Sequence, residues 1–169
     1  KSIGNSTTTP RDLETDLDVW IILMALSESV SARLRKHGFK CNVVEISIRD
    51  NGLNSITRQK RISQPTNITD EIVKAAFELF KKHYRWEHPI RSLGVRGSDL
   101  VMEDIPVQLD LFDNQEKREK LERLDRAVDE IRRRFGYFSI QRAAMYQDKV
   151  LSHLDAGTHT VHPHSYFHG

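Results

Sequence analysis

Ile90-Arg91-Ser92-Leu93-Gly94-Val95-Arg96-Gly97-Ser98 alternates with a period of two. Arg91, Leu93 and Val95 share one face, while Ile90, Ser92, Gly94 and Arg96 share the other, as a strand buried on one side requires. Leu93 and Val95 then point into a core. The opposite face carries the small Ser92 and Gly94 followed by a guanidinium, so a large ligand can come close to the backbone and meet a fixed positive charge. A phosphate backbone fits that description. The plain alternative is an edge strand whose glycine marks a bulge and whose arginine is a solvent-facing gatekeeper.

The segments leading to this strand have their own periods. Lys1 to Thr9 alternates small polar residues with Ile3 and Gly4 and reaches Pro10, which suits an edge strand. A helix follows: Asp12, Glu14, Asp16 and Asp18 cluster at its start, and Val19, Leu23, Leu26, Val30 and Leu34 form its apolar stripe. Arg33, Arg35, Lys36 and His37 precede a stopping Gly38. Lys40 to Asp50 returns to period two, with Val44, Ile46 and Ile48 on one face and Glu45, Ser47 and Arg49 on the other. Asp50-Asn51-Gly52 turns the chain into a basic strand from Leu53 to Ile62. After Pro65, Thr69 can cap a second helix with Ile72, Ala76, Leu79 and Phe80 on its apolar face.

The order β-α-β-β-α-β predicts an α+β fold: a four-stranded, mostly antiparallel sheet with two helices on one face, followed by a C-terminal helical tail. The other sheet face is left open. Its candidates are Ser2, Gly4, Ser6 and Thr8 from the first strand and Ser47 and Arg49 from the second. The third adds Thr57, Gln59 and Arg61 with Arg58 and Lys60 nearby, and the last Ser92, Gly94 and Arg96. Hydroxyls, glycines and arginines make many weak contacts to a phosphate backbone and offer little that reads a base, so the expectation is sequence-independent duplex binding. Phe or Tyr residues that would stack single-stranded RNA are missing from this set.

Composition agrees with a core domain carrying a polar appendage: 169 residues, 38% hydrophobic. The formal charge is only +2, but between Arg33 and Arg61 eight Lys or Arg stand against Glu45 and Asp50, a local 8 − 2 = +6. A polyanion responds to such a local patch. The single Cys41 excludes an internal disulfide and fits a reducing compartment. No apolar run reaches spanning length and no signal-like segment opens the chain, so a cytoplasmic location without membrane contact is expected. The chain begins at Lys1, already in strand-like sequence, as a piece of a longer protein would.

These strands, in this order, resemble the little finger domain of Y-family translesion DNA polymerases, of the bacterial DNA polymerase IV-like kind. The resemblance rests on Lys1-Ser2-Ile3-Gly4-Asn5-Ser6, similar to the strand entering that domain, and on Ile90 to Arg96, similar to its closing strand. It covers residues 1–103. It implies a domain that grips primer-template duplex DNA across the major groove, with Ser2, Gly4, Ser6 and Thr8 as backbone-approach or hydroxyl contacts and Arg58, Lys60, Arg61, Arg91 and Arg96 as cations. At Asn5 and Ser92 this chain departs from relatives that carry a basic residue. It also implies that the parent is a DNA-directed DNA polymerase acting in DNA damage tolerance, whose Mg-binding carboxylates lie in a palm domain before Lys1. The acids here sit in helix starts or on solvated faces, so no catalytic residue, metal site or cofactor is assigned to this chain.

In the linker 104–113, Gln108-Leu109-Asp110-Leu111-Phe112 resembles the short peptide by which bacterial polymerases attach to the sliding clamp. Its chemistry suits that role: the Gln amide offers paired donor and acceptor, and Leu111 and Phe112 fill an apolar pocket. The alternative is a structural staple packing on its own domain. Residues 114–145 read as an amphipathic tail whose Leu121, Leu124, Val128, Ile131 and Phe135 repeat in a heptad-like pattern. Such a stripe must dock on its own domain, on another part of the parent, or on a second copy. Residues 146–169 read as a disordered, histidine-rich terminus. Two other functions compete with the polymerase reading: a non-enzymatic clamp adaptor, and RNA binding on a ferredoxin-like sheet.

Overall fold

The structure, a computed structural model, describes residues 1–104 and 114–154. Gln108 to Phe112, expected as the clamp peptide, lie outside the described residues, as do His159, His162, His164 and His168. Six elements form the core domain: β1 (Ser2–Leu13), α1 (Asp16–Lys36), β2 (Phe39–Asp50), β3 (Ser55–Thr66), α2 (Thr69–His83) and β4 (Ile90–Met102). The strands make one four-stranded sheet in the order β1-β4-β2-β3, with every neighbouring pair antiparallel. The expected α+β architecture is therefore present. The last strand, β4, lies inside the sheet between β1 and β2.

Local chemistry sets most boundaries. Thr15 Oγ1 accepts the Asp18 N–H at 3.1 Å while Asp18 Oδ2 accepts the Thr15 N–H at 3.2 Å, a reciprocal cap that starts α1 at Asp16. Asp12 and Glu14, expected in the helix's first turn, precede this cap, and Asp12 belongs to β1. Pro10 does not end β1, because the strand runs along the sheet edge and its register shifts between Thr8 and Leu13. The β2–β3 turn is longer than Asp50-Asn51-Gly52 suggests. Asp50 Oδ1 accepts the Asn54 N–H at 2.9 Å and Leu53 takes a left-handed φ of 69°, so β3 begins at Ser55.

On the helix side of the sheet, Ile3, Val44, Ile46, Ile48, Leu93 and Val95 are buried against Val19, Leu23, Leu26, Val30 and Leu34 of α1 and Ile72, Ala76, Leu79 and Phe80 of α2. Ile90, expected on the open face, joins this core. The reason is a bulge: Arg49 pairs with Ser92 but Asp50 pairs with Ile90, leaving Arg91 as the extra residue and reversing the alternation beyond it.

The tail packs on the same domain. It contains α3 (Gln115–Phe135), 3-10 turns at Tyr137–Ser139 and Ala143–Gln147, and α4 (Lys149–Ser152). Met145, Leu151 and Leu154 enter the core cluster, so α1 is covered from outside as well as by the sheet. Residues 146–154, at the start of the stretch expected to be a disordered terminus, include α4 and the buried Leu151 and Leu154. Asp148 caps α4 by accepting from Val150 and Leu151 N–H groups and also receives Arg11, which bridges to Asp18 of α1.

α3 docks through its charged side. Arg118 meets Glu71 at 2.8 Å, Glu122 meets Lys40 at 3.2 Å, Asp129 meets Arg35 at 2.6 Å and Arg132 meets Glu28 at 3.0 Å. The apolar stripe expected to dock is left partly wet: Leu124 is 50% exposed and Phe135 74%. Complementary charges decide the orientation, since Glu28, Arg35 and Glu71 on α1 and α2 are what this helix meets.

Candidate nucleic-acid interface

The three strand registers align the outward residues into rows that cross the whole sheet. From β1 to β3 these rows are Ser2-Ser98-Val43-Arg61, Gly4-Arg96-Glu45-Gln59, Ser6-Gly94-Ser47-Thr57 and Thr8-Ser92-Arg49-Ser55. Directly opposed residues share a face in an antiparallel pair, so Ser2, Gly4, Ser6, Thr8, Arg49, Thr57, Arg61, Ser92, Gly94 and Arg96 are brought together as expected. Among the described residues, no helix covers them. No aromatic residue stands in the rows.

Arg58 and Lys60 do not join this group. They pair with Ile46 and Val44, whose side chains are in the core, and therefore point to the helix side. Lys60 Nζ is 2.6 Å from Glu78 of α2. Arg91, the bulge residue, reaches Asp12 Oδ1 at 3.3 Å at the end of the sheet. The local charge excess between Arg33 and Arg61 also disperses: Arg33 donates to the Gly4 carbonyl, Arg35 is buried beneath α3, and Lys40 is paired with Glu122. Charges adjacent in sequence are divided here between the two sides of a sheet.

The row Ser6-Gly94-Ser47-Thr57 is the low line of the face. A depression of about 250 Å³ opens over it, lined by Gly4, Ser6, Glu45, Ser47, Gly94 and Arg96 among others. Its floor requires glycine: a Cβ on Gly94 would overlap Ser47 Oγ and come within 3.1 Å of Ser6 Cβ. Gly4 makes room in the same way, since its Cβ would meet Arg96 Cβ at 3.1 Å. Hydroxyls rim the hollow, and guanidinium groups stand in the rows around it. Such a surface has the chemistry to donate hydrogen bonds to phosphate oxygens and, among the described residues, carries no set of side chains suited to base edges.

The electrostatics contain one feature the sequence pattern hid. Glu45 sits within the rows, and its Oε1 accepts from Arg96 Nε at 2.9 Å and from Arg96 Nη2. Arg61 is paired with Asp99 at 2.6 Å. Among the described residues, Arg49 alone of the arginines in the rows has no ion pair. The alternation of β2 placed Glu45 outward, but its partner is across the β2–β4 ladder, where no local pattern reaches.

The described residues do not fit a catalytic metal. No cluster of three or more His, Cys, Asp or Glu side chains capable of holding a cation occurs among them. Cys41 is buried, and burial pushes its thiol up to about 12, so it remains protonated core packing.

Residues 1–111 match the impB/mucB/samB family C-terminal domain. The chain is 47% identical to DNA polymerase IV of Acetivibrio thermocellus over 154 residues, covering 91% of this chain and 39% of the relative. It is 36% identical to DNA polymerase IV 2 of Bacillus subtilis over 148 residues, covering 85% of this chain and 35% of the relative. The chain thus spans well under half the length of these relatives. Among solved structures it shares the fold of the little finger domain of PolIV in complex with the beta-clamp processivity factor (TM-score 0.51, 16% identity, 67% of this chain and 100% of that one). DinB from Sulfolobus solfataricus gives a TM-score of 0.52 at 14% identity, covering 60% of this chain and 29% of that one. With a matched domain that fills most of its length and relatives that continue the match through α3, the chain belongs to the impB/mucB/samB family and comprises its C-terminal domain.

Proposed function

We propose that the open sheet face binds primer-template duplex DNA without reading its sequence, and that Gln108 to Phe112 tether the chain to a sliding clamp. The parent protein is then a DNA-directed, Mg-dependent DNA polymerase of the cytoplasm, working in translesion synthesis and DNA repair. The observation that carries this reading is the open face itself: rows of hydroxyls, glycines and arginines across four strands, with no helix or aromatic residue over them among the described residues. Phosphate contacts position a protein on a duplex and release counterions, while discrimination between sequences needs donors and acceptors at base edges.

The tether has separate support. The relatives are named DNA polymerase IV, and the beta-clamp complex contains a little finger of this fold. A short peptide of modest affinity is useful to a weakly gripping domain because it raises the local concentration of DNA. The metal-holding carboxylates of the parent lie outside this chain in this reading, and no chemical step is assigned to its residues.

Anisotropy of labelled duplexes of unrelated sequence, titrated over a salt series, tests the DNA role. Equal affinities that fall together with salt support it. A strong preference for one duplex, or tighter binding of single-stranded RNA, removes it. Clamp binding is tested separately with purified clamp.

A further inference from the structure

Glu45 occupies the middle of a face whose other charged groups in the rows are arginines. Its row neighbours are Arg96 on β4 and Gln59 on β3. The Glu45 side chain is 15% exposed against 50% for Arg96, so the carboxylate lies low in the face with the guanidinium spread over it. Gly4 keeps the adjacent space clear for the arginine stem. A guanidinium presents its donors in a fork that fits a carboxylate or a phosphate edge, and here Nε and Nη2 are already taken by Glu45 Oε1.

We propose that Glu45 competes with DNA phosphate for Arg96 and so holds the affinity of the face below what its arginines alone would give. The proposal rests on the open face being the duplex-binding surface. A phosphate arriving at Arg96 either displaces the carboxylate, which then takes up a cation from solution, or sits beside it against like-charge repulsion. Either route offsets the counterion that DNA releases at this contact. Arg96 therefore adds little net ion release while Glu45 is ionised, whereas Arg49, with no carboxylate partner among the described residues, adds a full contact. A face tempered in this way holds the duplex and lets it move, with no dependence on base sequence.

The test measures duplex affinity of the whole chain over a salt series for wild type, Glu45→Gln, Arg49→Ala, Arg96→Ala and the Glu45→Gln/Arg96→Ala pair. Glu116→Gln, on exposed α3, makes the same change in net charge away from the face. Glu45→Gln should tighten binding about tenfold, the Coulomb effect of removing a charge about 5 Å from a phosphate at a wet surface. It should also steepen the plot of log K against log salt by about 0.9. Arg96→Ala should weaken binding, since it leaves the Glu45 carboxylate without its partner on the face, and should undo the whole gain in the Glu45→Gln background, while Glu116→Gln should leave affinity within twofold. Thermal melting verifies folding, and Glu45→Ala repeats the charge removal without a new amide donor. If Glu45→Gln and Glu45→Ala bind like wild type while Arg49→Ala weakens binding, the competitor role is overturned and the face keeps its role. Equal tightening by Glu45→Gln and Glu116→Gln overturns it in favour of net charge. If Arg49→Ala, Glu45→Gln and Glu45→Ala all bind like wild type, the face itself is removed.

Discussion

Asp125 of α3 caps the N-terminus of α2: its Oδ2 accepts the Thr69 N–H at 2.8 Å across 56 residues of sequence. The same carboxylate receives Arg35 Nη1 at 3.1 Å and Arg142 Nη2 at 3.2 Å, and it is only 5% exposed. Ile68, at the cap position of α2, offers no side-chain acceptor. A residue of the tail supplies what the local sequence lacks, satisfying an N–H that would otherwise be stranded at the helix start.

Replacing Asp125 with Ala should therefore destabilise the domain by about 3 kcal/mol, because it strips two arginines and a helix start of a shared buried partner. Urea unfolding read by tryptophan fluorescence gives the number. Hydrogen exchange at Thr69 to Ile72 should accelerate with it. A change under about 0.5 kcal/mol would mean that the tail merely rests on α2.

Gly94→Ala should cost roughly 1–3 kcal/mol of stability through overpacking against Ser47 and Ser6, and should weaken duplex binding by filling the low line of the face. Adding Ser47→Ala removes the hydroxyl in the way and should recover part of the stability. Melting temperatures of the two single variants and the double variant decide this, and strict additivity would rule out the contact.

Arg49→Ala should lower duplex affinity equally for any sequence and reduce the salt slope by about 0.9, the signature of one phosphate contact. Lys60→Ala should do neither, since Lys60 faces Glu78 on the helix side. If the two substitutions behave alike in a salt titration, the DNA is not on the open face.

Leu111→Ala with Phe112→Ala should abolish measurable clamp binding and leave duplex affinity nearly intact. Burial of a Leu or Phe side chain contributes roughly 1.5–3 kcal/mol each. Truncating both should cost on the order of 3 kcal/mol, about a hundredfold. Calorimetric titration of clamp into wild type and the double variant measures it, and equal affinities would make Gln108 to Phe112 a structural staple.

Acid should loosen α4 before it unfolds the domain. The Leu151 N–H, then Arg11 and the Val150 N–H, hold the Asp148 carboxyl below the usual carboxylate range. Burial opposes ionisation of Asp18, yet Arg11 and the N–H groups of Glu14 and Thr15 outweigh it and lower that carboxyl too. A carboxyl with a depressed folded-state pKa stabilises fully above its unfolded value and loses that contribution as pH falls through the folded one, so the loss runs downward from about pH 4. Hydrogen exchange at Leu151 and Ser152 should speed up in that window ahead of the core strands, and Asp148→Asn should bring the same exchange at neutral pH. Protection that persists until global unfolding would show α4 to be held by Leu151 packing alone.

Much of the core was legible from residue order. Val44, Ile46, Ile48, Leu93 and Val95 alternate inward, and the α1 stripe from Val19 to Leu34 is buried as its spacing demands. The strand pattern reads Gly94 as room for a ligand, and the structure shows a different need for glycine there, the crowding of Ser47 and Ser6 on the neighbouring strands. Ile90 did not read correctly, because a bulge is a property of two strands in register, and the pattern of one strand cannot reveal it. The resemblance offers Arg58 and Lys60 as contacts, whereas the alternation of β3 already sets Thr57, Gln59 and Arg61 outward, and the register against Ile46 and Val44 turns these two to the helix side.

What the sequence by itself determined is what neighbours in the chain decide: the periods of two and 3.6, the stop at Gly38 and the clamp-like run at Gln108. Only the tertiary structure decided that Glu45 meets Arg96, that Asp125 meets Thr69, and that α3 lies on the domain by its charged side with Phe135 left exposed. Side-chain periodicity encodes which face a residue takes; the partner on that face is set by strand register and helix docking, which depend on the whole core closing at once.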